Sequence, residues 1–167
     1  ALPISAGHSV ILAGRTQSKL DPLAAELNAR TVFVDAANLD ALEQAVQQFG
    51  PVDSVVNCAG SLILKPAHLT TEKEWRETLE INLTSAFSTV RAAAKAMMNT
   101  GGSIVLCSTA AARAGFANHE AIAAAKGGVI GLTLSAAATY ANRNIRVNCV
   151  APGLVRSEEH TSELQSH

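Results

Sequence analysis

Gly102-Ser103-Ile104-Val105-Leu106-Cys107-Ser108-Thr109 and Ile145-Arg146-Val147-Asn148-Cys149-Val150, with the stretch between them, decide how this chain folds. Ile104–Cys107 and Ile145–Val150 are short runs rich in branched aliphatic residues, which read as buried strands. The intervening stretch from about Asn118 to Tyr140 is helical in length, and its Ala and Gly content lets a second helix approach closely. Strand, crossover helix, strand is the unit of a parallel sheet. Such sheets bind ligands beyond the carboxyl ends of their strands, here at Ser108-Thr109 and at Ala151-Pro152-Gly153-Leu154-Val155.

The alternation continues toward the N-terminus. Val52–Val56 is a strand closed by Asn57-Cys58-Ala59-Gly60, and residues 61–70 read as a loop. Thr71-Glu72-Lys73-Glu74 has the capping-box spacing that opens a long helix. Its apolar stripe runs through Trp75, Leu79, Ala86, Val90, Ala93 and Met97, and Asn99-Thr100-Gly101-Gly102 ends it. Further upstream, Val10–Leu12 is a strand ending in Ala13-Gly14-Arg15, followed by a helix over Lys19–Ala29 with Leu20, Leu23, Ala24 and Leu27 on one face. Thr31–Val34 is a strand, and Leu39–Phe49 a helix presenting Leu42, Val46 and Phe49. The fold class is α/β with a doubly wound parallel sheet.

The chain has 167 residues, 48% hydrophobic and 16% charged, enough for one domain with a sizeable core. Thirteen basic and 14 acidic side chains give a net charge of −1, which lacks the electrostatic footprint of nucleic-acid binding. No uninterrupted apolar run approaches the roughly 20 residues that span a bilayer, so no membrane partner is expected. Cys58, Cys107 and Cys149 form no closely spaced pair, which argues against a disulfide framework and a zinc site. Their apolar surroundings predict buried free thiols and a reducing, cytoplasmic location. No metal site is expected.

Candidate site residues lie at the strand ends. Arg15 stands where a basic group suits a ribose 2′-phosphate, the alternative being a solvated loop arginine. Asp35 could meet an adenine amino group or help cap the helix at Leu39. Asn57, Ala59 and Gly60 permit close backbone approach to a ligand, or make a plain turn. Asn82 places an amide in a helix interior, which is costly unless it is hydrogen-bonded.

Together with Ser108-Thr109, Lys126 and the segment from Asn148 to Val155, these residues resemble the short-chain dehydrogenase/reductase family over Ser9–Val155. Asn57-Cys58-Ala59-Gly60 is similar to the family's NNAG element, INLTSAF carries its active-site Asn at Asn82, and NCVAPGLV resembles its nicotinamide-side Pro-Gly element. The resemblance implies a Rossmann-like sheet, NADP(H) as cofactor in preference to NAD(H), and a small carbonyl or alcohol substrate. Arg15, Asp35, Asn57, Ala59, Gly60, Lys126, Pro152, Gly153 and Val155 would bind cofactor. Thr109 would orient the substrate oxygen, Asn82 hold a relay water and Lys126 the nicotinamide ribose. A homo-oligomer would form through the helices at 72–98 and 118–140.

Two departures touch the chemistry, and one is that Thr109 stands at the place of the family's catalytic serine, where it keeps a hydroxyl. The family's motif is Tyr-x-x-x-Lys, and Ile122 stands four residues before Lys126. Isoleucine cannot relay a proton, and the only tyrosine, Tyr140, has Asn144 four residues on. His119, on the same helix face as Ile122 and Lys126, is the candidate acid–base group, since histidine ordinarily titrates near neutrality. Glu120 is a weaker one, and both could instead be first-turn helix polarity. The glycine-rich TGxxxGxG turn also does not occur in the chain.

The expected sheet therefore lacks the family's first strand, between those at Val10 and Val52, and its last. Residues 156–167, RSEEHTSELQSH, are similar to a translated sequencing adapter and are set aside as a non-native tail, leaving 1–155 as a partial domain. The reading is a fragment of an oxidoreductase that by itself would be inactive. The alternatives are a non-catalytic relative that binds cofactor or a partner, and an inactive truncated product.

Overall fold

The computed structural model describes residues 7–153, so Val155 and the segment 156–167 lie outside the described residues. Five strands, all in parallel pairings, alternate with helices. β1 (Ile11–Gly14) pairs with β2 (Arg30–Phe33) in the register Ile11↔Arg30. β3 (Ser54–Asn57), β4 (Gly102–Cys107) and β5 (Ile145–Val150) form a second sheet in that order, with Val55↔Ile104 and Ile104↔Val147 in register. Among the described residues no strand pair joins β1 to β3.

Local chemistry sets the helix ends. α1 (Gln17–Leu27) starts two residues before the expected Lys19 and stops at Asn28, whose left-handed backbone (φ 47°) closes it before Ala29. α2 (Leu39–Gln47) is capped by Asn38, whose side chain accepts the Ala41 N–H at 3.0 Å. Thr71 and Glu74 form both arms of the capping box that opens α3 (Glu72–Leu79).

The single helix expected over 72–98 is interrupted. A π-helical turn at Glu80–Thr84 separates α3 from α4 (Ser85–Met97). The Asn82 amide donates to the Thr78 carbonyl at 3.0 Å, and the Ser85 hydroxyl donates to the Ile81 carbonyl at 2.6 Å. Side chains thus occupy carbonyls that an uninterrupted ladder would bond, and such π-bulges recur at functional sites. At the far end of α4, Gly101 (φ +73°) donates to the Met97 carbonyl, and a Cβ there would meet Asn144 O at 2.9 Å. The short helix α5 (Ala111–Ala114), absent from the sequence reading, precedes α6 (Glu120–Tyr140).

The main core joins Val90, Ala93 and Met97 of α4 to Ile104 and Leu106 of β4, Val129 of α6, and Ile145 and Val147 of β5. Val34, Leu42, Ala45 and Ala92 make a smaller one between β2, α2 and α4. α6 corrects one expectation: Glu120–Arg143 is long and apolar enough by composition to cross a membrane. Its Ala, Gly and Thr residues break up the obvious aliphatic run, and in this fold it seats Ala125, Val129 and Ala136 inside the protein.

α4 and α6 cover one face of the β3–β4–β5 sheet. Alternation along β4 shows it: Ile104 and Leu106 are fully buried, whereas Val105 and Cys107 are not. On the second face Val56 is 60% and Val150 50% exposed. Cys58 is exposed, and Cys107 and Cys149 are half-buried, which corrects the expectation of three buried thiols. Cys58 lies just past the end of β3 on the open side, where the apolar run preceding it gives no cover.

Candidate functional site

The site lies at the carboxyl ends of β3 and β4 and is built around three side chains or backbone positions brought together from distant sequence. Gly60 follows β3, Asn82 sits in the π turn, and Lys126 is in the second turn of α6. A Cβ at Gly60 would stand 3.0 Å from Asn82 Oδ1 and 3.4 Å from Lys126 Nζ. A side chain would crowd both groups, so only glycine lets the turn after β3 lie this close to the amide and the ammonium.

Asn82 is 1% exposed and held on several sides. Its Oδ1 accepts the Ser61 N–H at 3.1 Å, and its Nδ2 donates to Thr78 O and to Ser61 Oγ at 3.2 Å. Asn57 is spent in a similar way. Its Nδ2 donates to Ser85 O (2.9 Å) and Thr89 Oγ1 (2.7 Å) on α4, and its Oδ1 accepts the Ala59 N–H at 2.8 Å. Asn57 and Ala59 therefore shape the turn that delivers Gly60, and neither Asn57's amide nor Ala59's N–H is left for a ligand.

Lys126 is 8% exposed and donates from Nζ to the Cys107 carbonyl at 2.8 Å. Among the described residues it makes no ion pair. Burial pulls its pKa down, and the sulfurs of Cys107, Cys149 and Cys58 oppose this weakly. One carbonyl uses one of three ammonium protons, so two remain for hydroxyl or other oxygen ligands. Ser108, which sequence reasoning gave no role of its own, donates from Oγ to the Lys126 carbonyl at 2.8 Å and fixes α6 to β4. A buried hydroxyl at a strand end was the available signal.

Thr109 accepts the Ala111 N–H on its Oγ1 at 3.3 Å, and Ala110 N–H donates to Pro152 O at 2.9 Å. Gly153 lies beside Ala110, so the Pro-Gly element and the Thr109 segment meet. Ile122 is buried on α6. His119 precedes α6, its Nδ1 is 2.6 Å from the Ala117 carbonyl, and its ring packs edge-on to Phe116 at 5.6 Å. The 61–70 loop is tied to this corner by Lys65 N–H donating to Asn118 O at 2.8 Å. It is tied to α3 by Lys65 Nζ on both oxygens of Glu74. The Thr71 N–H, the Lys65 ammonium and the Thr71 hydroxyl together hold the Glu74 carboxyl at about 2.

Arg15 and Asp35 are elsewhere, at the ends of β1 and β2, 3.5 Å apart as an exposed ion pair. With Ala37, Glu77, Glu80 and Ile81 they line a cleft of about 240 Å³. Asp35 accepts the Ala37 N–H at 2.9 Å and so shapes the turn before α2, while the cap itself is Asn38.

Doubly wound α/β folds bind their ligands beyond the carboxyl ends of the strands, where the Asn–Lys pair meets Gly60. Residues 4–166 match the family model described as enoyl-(acyl carrier protein) reductase. Over 166 residues the chain is 37% identical to trans-4-hydroxycyclohexanecarboxylate dehydrogenase of Sinomonas cyclohexanicum, covering 90% of this chain and 64% of that protein. It is 35% identical to L-xylulose reductase of Mesocricetus auratus, over 90% of this chain and 63% of the relative. A solved short-chain type dehydrogenase/reductase from Mycobacterium ulcerans superposes with a TM-score of 0.92 at 29% identity, covering 98% of this chain and 65% of the other. The chain belongs to the short-chain dehydrogenase/reductase family, and it spans just under two thirds of the length of these relatives.

Proposed function

We propose that this chain is the catalytic portion of an NADP(H)-preferring oxidoreductase acting on a small carbonyl or alcohol. The observation that carries the reading is the close approach of Gly60, Asn82 and Lys126 at the strand ends. A nicotinamide ribose suits this corner, because a buried ammonium with two uncommitted protons and, among the described residues, no carboxylate partner favours neutral hydroxyls. When bound, the nicotinamide supplies or accepts the hydride.

In this reading Lys126 holds the ribose and Thr109 directs its hydroxyl at the substrate oxygen. Pro152 and Gly153 line the nicotinamide side, and Asn82 keeps a relay water beside Ser61. His119 moves the proton in place of the tyrosine that Ile122 replaces. Its Nδ1 faces a carbonyl, which leaves Nε2 as the exchanging atom. Arg15 favours a 2′-phosphate, with Asp35 at the adenine side.

Exposed Phe87 on α4 and Leu134 on α6 support association with a second copy through these helices.

The test is NADPH fluorescence titration of the natural full-length protein, followed by NADPH consumption across a panel of carbonyl compounds. Binding with turnover is expected, lost in His119→Ala. Binding without turnover overturns the enzyme reading in favour of a non-catalytic relative, and no binding overturns the cofactor reading.

A further inference from the structure

Cys58 and Cys107 have no part in the chemistry above, yet the sheet sets them side by side. The β3–β4 register runs Val56↔Val105 and Asn57↔Leu106, where β3 ends, and Cys58 and Cys107 are the residues that follow this last matched pair. Partners in a parallel register point to the same face. Burial agrees: Leu106 and Asn57 face the helices and are buried, whereas Val56 and Cys58 are exposed and Cys107 is half-buried. Neighbouring strands lie about 4.8 Å apart, within the roughly 4.4–6.8 Å between Cα atoms that a disulfide spans.

Cys149 is excluded by the same logic. It pairs with Leu106 and packs against the helix-covered core, on the opposite face from Cys107. Partial burial pushes the Cys58 thiol up, the neighbouring Cys107 sulfur adds to this, and the Lys126 ammonium opposes it.

We propose that Cys58 and Cys107 are a dithiol modification site that closes to an intramolecular disulfide when a low-molecular-weight disulfide is supplied. The Cys58 thiolate attacks one sulfur of the reagent, breaking its S–S bond and expelling one thiolate. The Cys107 thiolate then attacks the Cys58 sulfur, forming the protein S–S bond and expelling the second. Two protein thiols give up two protons and two electrons, and the reagent leaves as two thiols. The bridge ties β4 to the turn at Asn57–Gly60, and so links thiol state to the geometry at Lys126.

The experiment uses this chain, folded, with glutathione disulfide at about pH 8.5 so that thiolate is present, followed by alkylation, digestion and mass mapping. A peptide pair joined through Cys58 and Cys107 is expected, two hydrogens lighter than its reduced sum. It persists in Cys149→Ser and is absent in Cys58→Ser, where Cys107 stays alkylatable. Because Cys58 is exposed, that variant keeps the fold, and circular dichroism verifies it. A bridge that includes Cys149 overturns the proposal. So do glutathione left on Cys58 with Cys107 still alkylatable, and three thiols that all remain unreacted. None of these results depends on whether the protein turns over NADPH.

Discussion

The two ends of the proposed cofactor site are built by different means. Beside Gly60, the Asn82 amide and the Lys126 ammonium are buried and fixed by hydrogen bonds to Ser61, Thr78 and Cys107. At Arg15 and Asp35 the groups are exposed, paired at 3.5 Å, and held by one turn. A buried polar group binds ligand through a space that packing has prepared, and removing it disturbs the fold. An exposed charge acts through its field alone, and removing it leaves the fold intact.

Substitutions should therefore separate the two regions. Asn82→Ala removes three hydrogen bonds and strands the Ser61 N–H and the Thr78 carbonyl, so urea denaturation should show a loss of about 2–4 kcal/mol. Lys126→Met is expected to end turnover without lowering stability, because it removes a desolvated ammonium. The folded pKa of Lys126 lies below its unfolded value, so the unfolded chain holds the proton more tightly. Wild-type stability should accordingly rise with pH toward about 10.4, a rise that Lys126→Met diminishes.

At the exposed end, Arg15→Ala should lower NADPH affinity about tenfold relative to NADH. The same variant should change the urea midpoint by less than about 0.5 kcal/mol in stability. Matched losses for both cofactors would break the comparison. The smallest effect concerns Glu74, whose folded pKa of about 2 lies below the ordinary carboxylate value. Its contribution is fully present above about pH 4.5 and disappears as pH falls toward 2. Glu74→Gln should flatten that acid limb in a pH-dependent unfolding series.

What was legible in the sequence follows the same division. The strands at Ile104 and Ile145, the capping box at Thr71–Glu74 and the stop at Gly101 depend on local pattern, and each stands where that pattern placed it. The juxtaposition of Gly60 with Asn82 and Lys126 was legible only through the family resemblance, because α3, α4, β4 and α5 lie between them in sequence and no local rule spans that distance. The π turn was not visible, since Asn82 taking the Thr78 carbonyl is a competition between side chain and backbone that apolar spacing does not encode. The exposure of Cys58 was missed because an apolar run says that a strand is buried on some face, without saying which.

The most direct measurement is NADPH binding to the natural full-length protein and to its Gly60→Ala variant, by fluorescence, with melting temperature recorded for both. The added methyl would stand 3.0 Å from Asn82 Oδ1 and 3.4 Å from Lys126 Nζ and so displaces both groups. The wild type is expected to bind NADPH, and Gly60→Ala to weaken binding at least about tenfold, a loss of about 1.4 kcal/mol, with a lowered melting temperature because the methyl crowds the buried Asn82. NADPH binding unaltered by Gly60→Ala would contradict this reading.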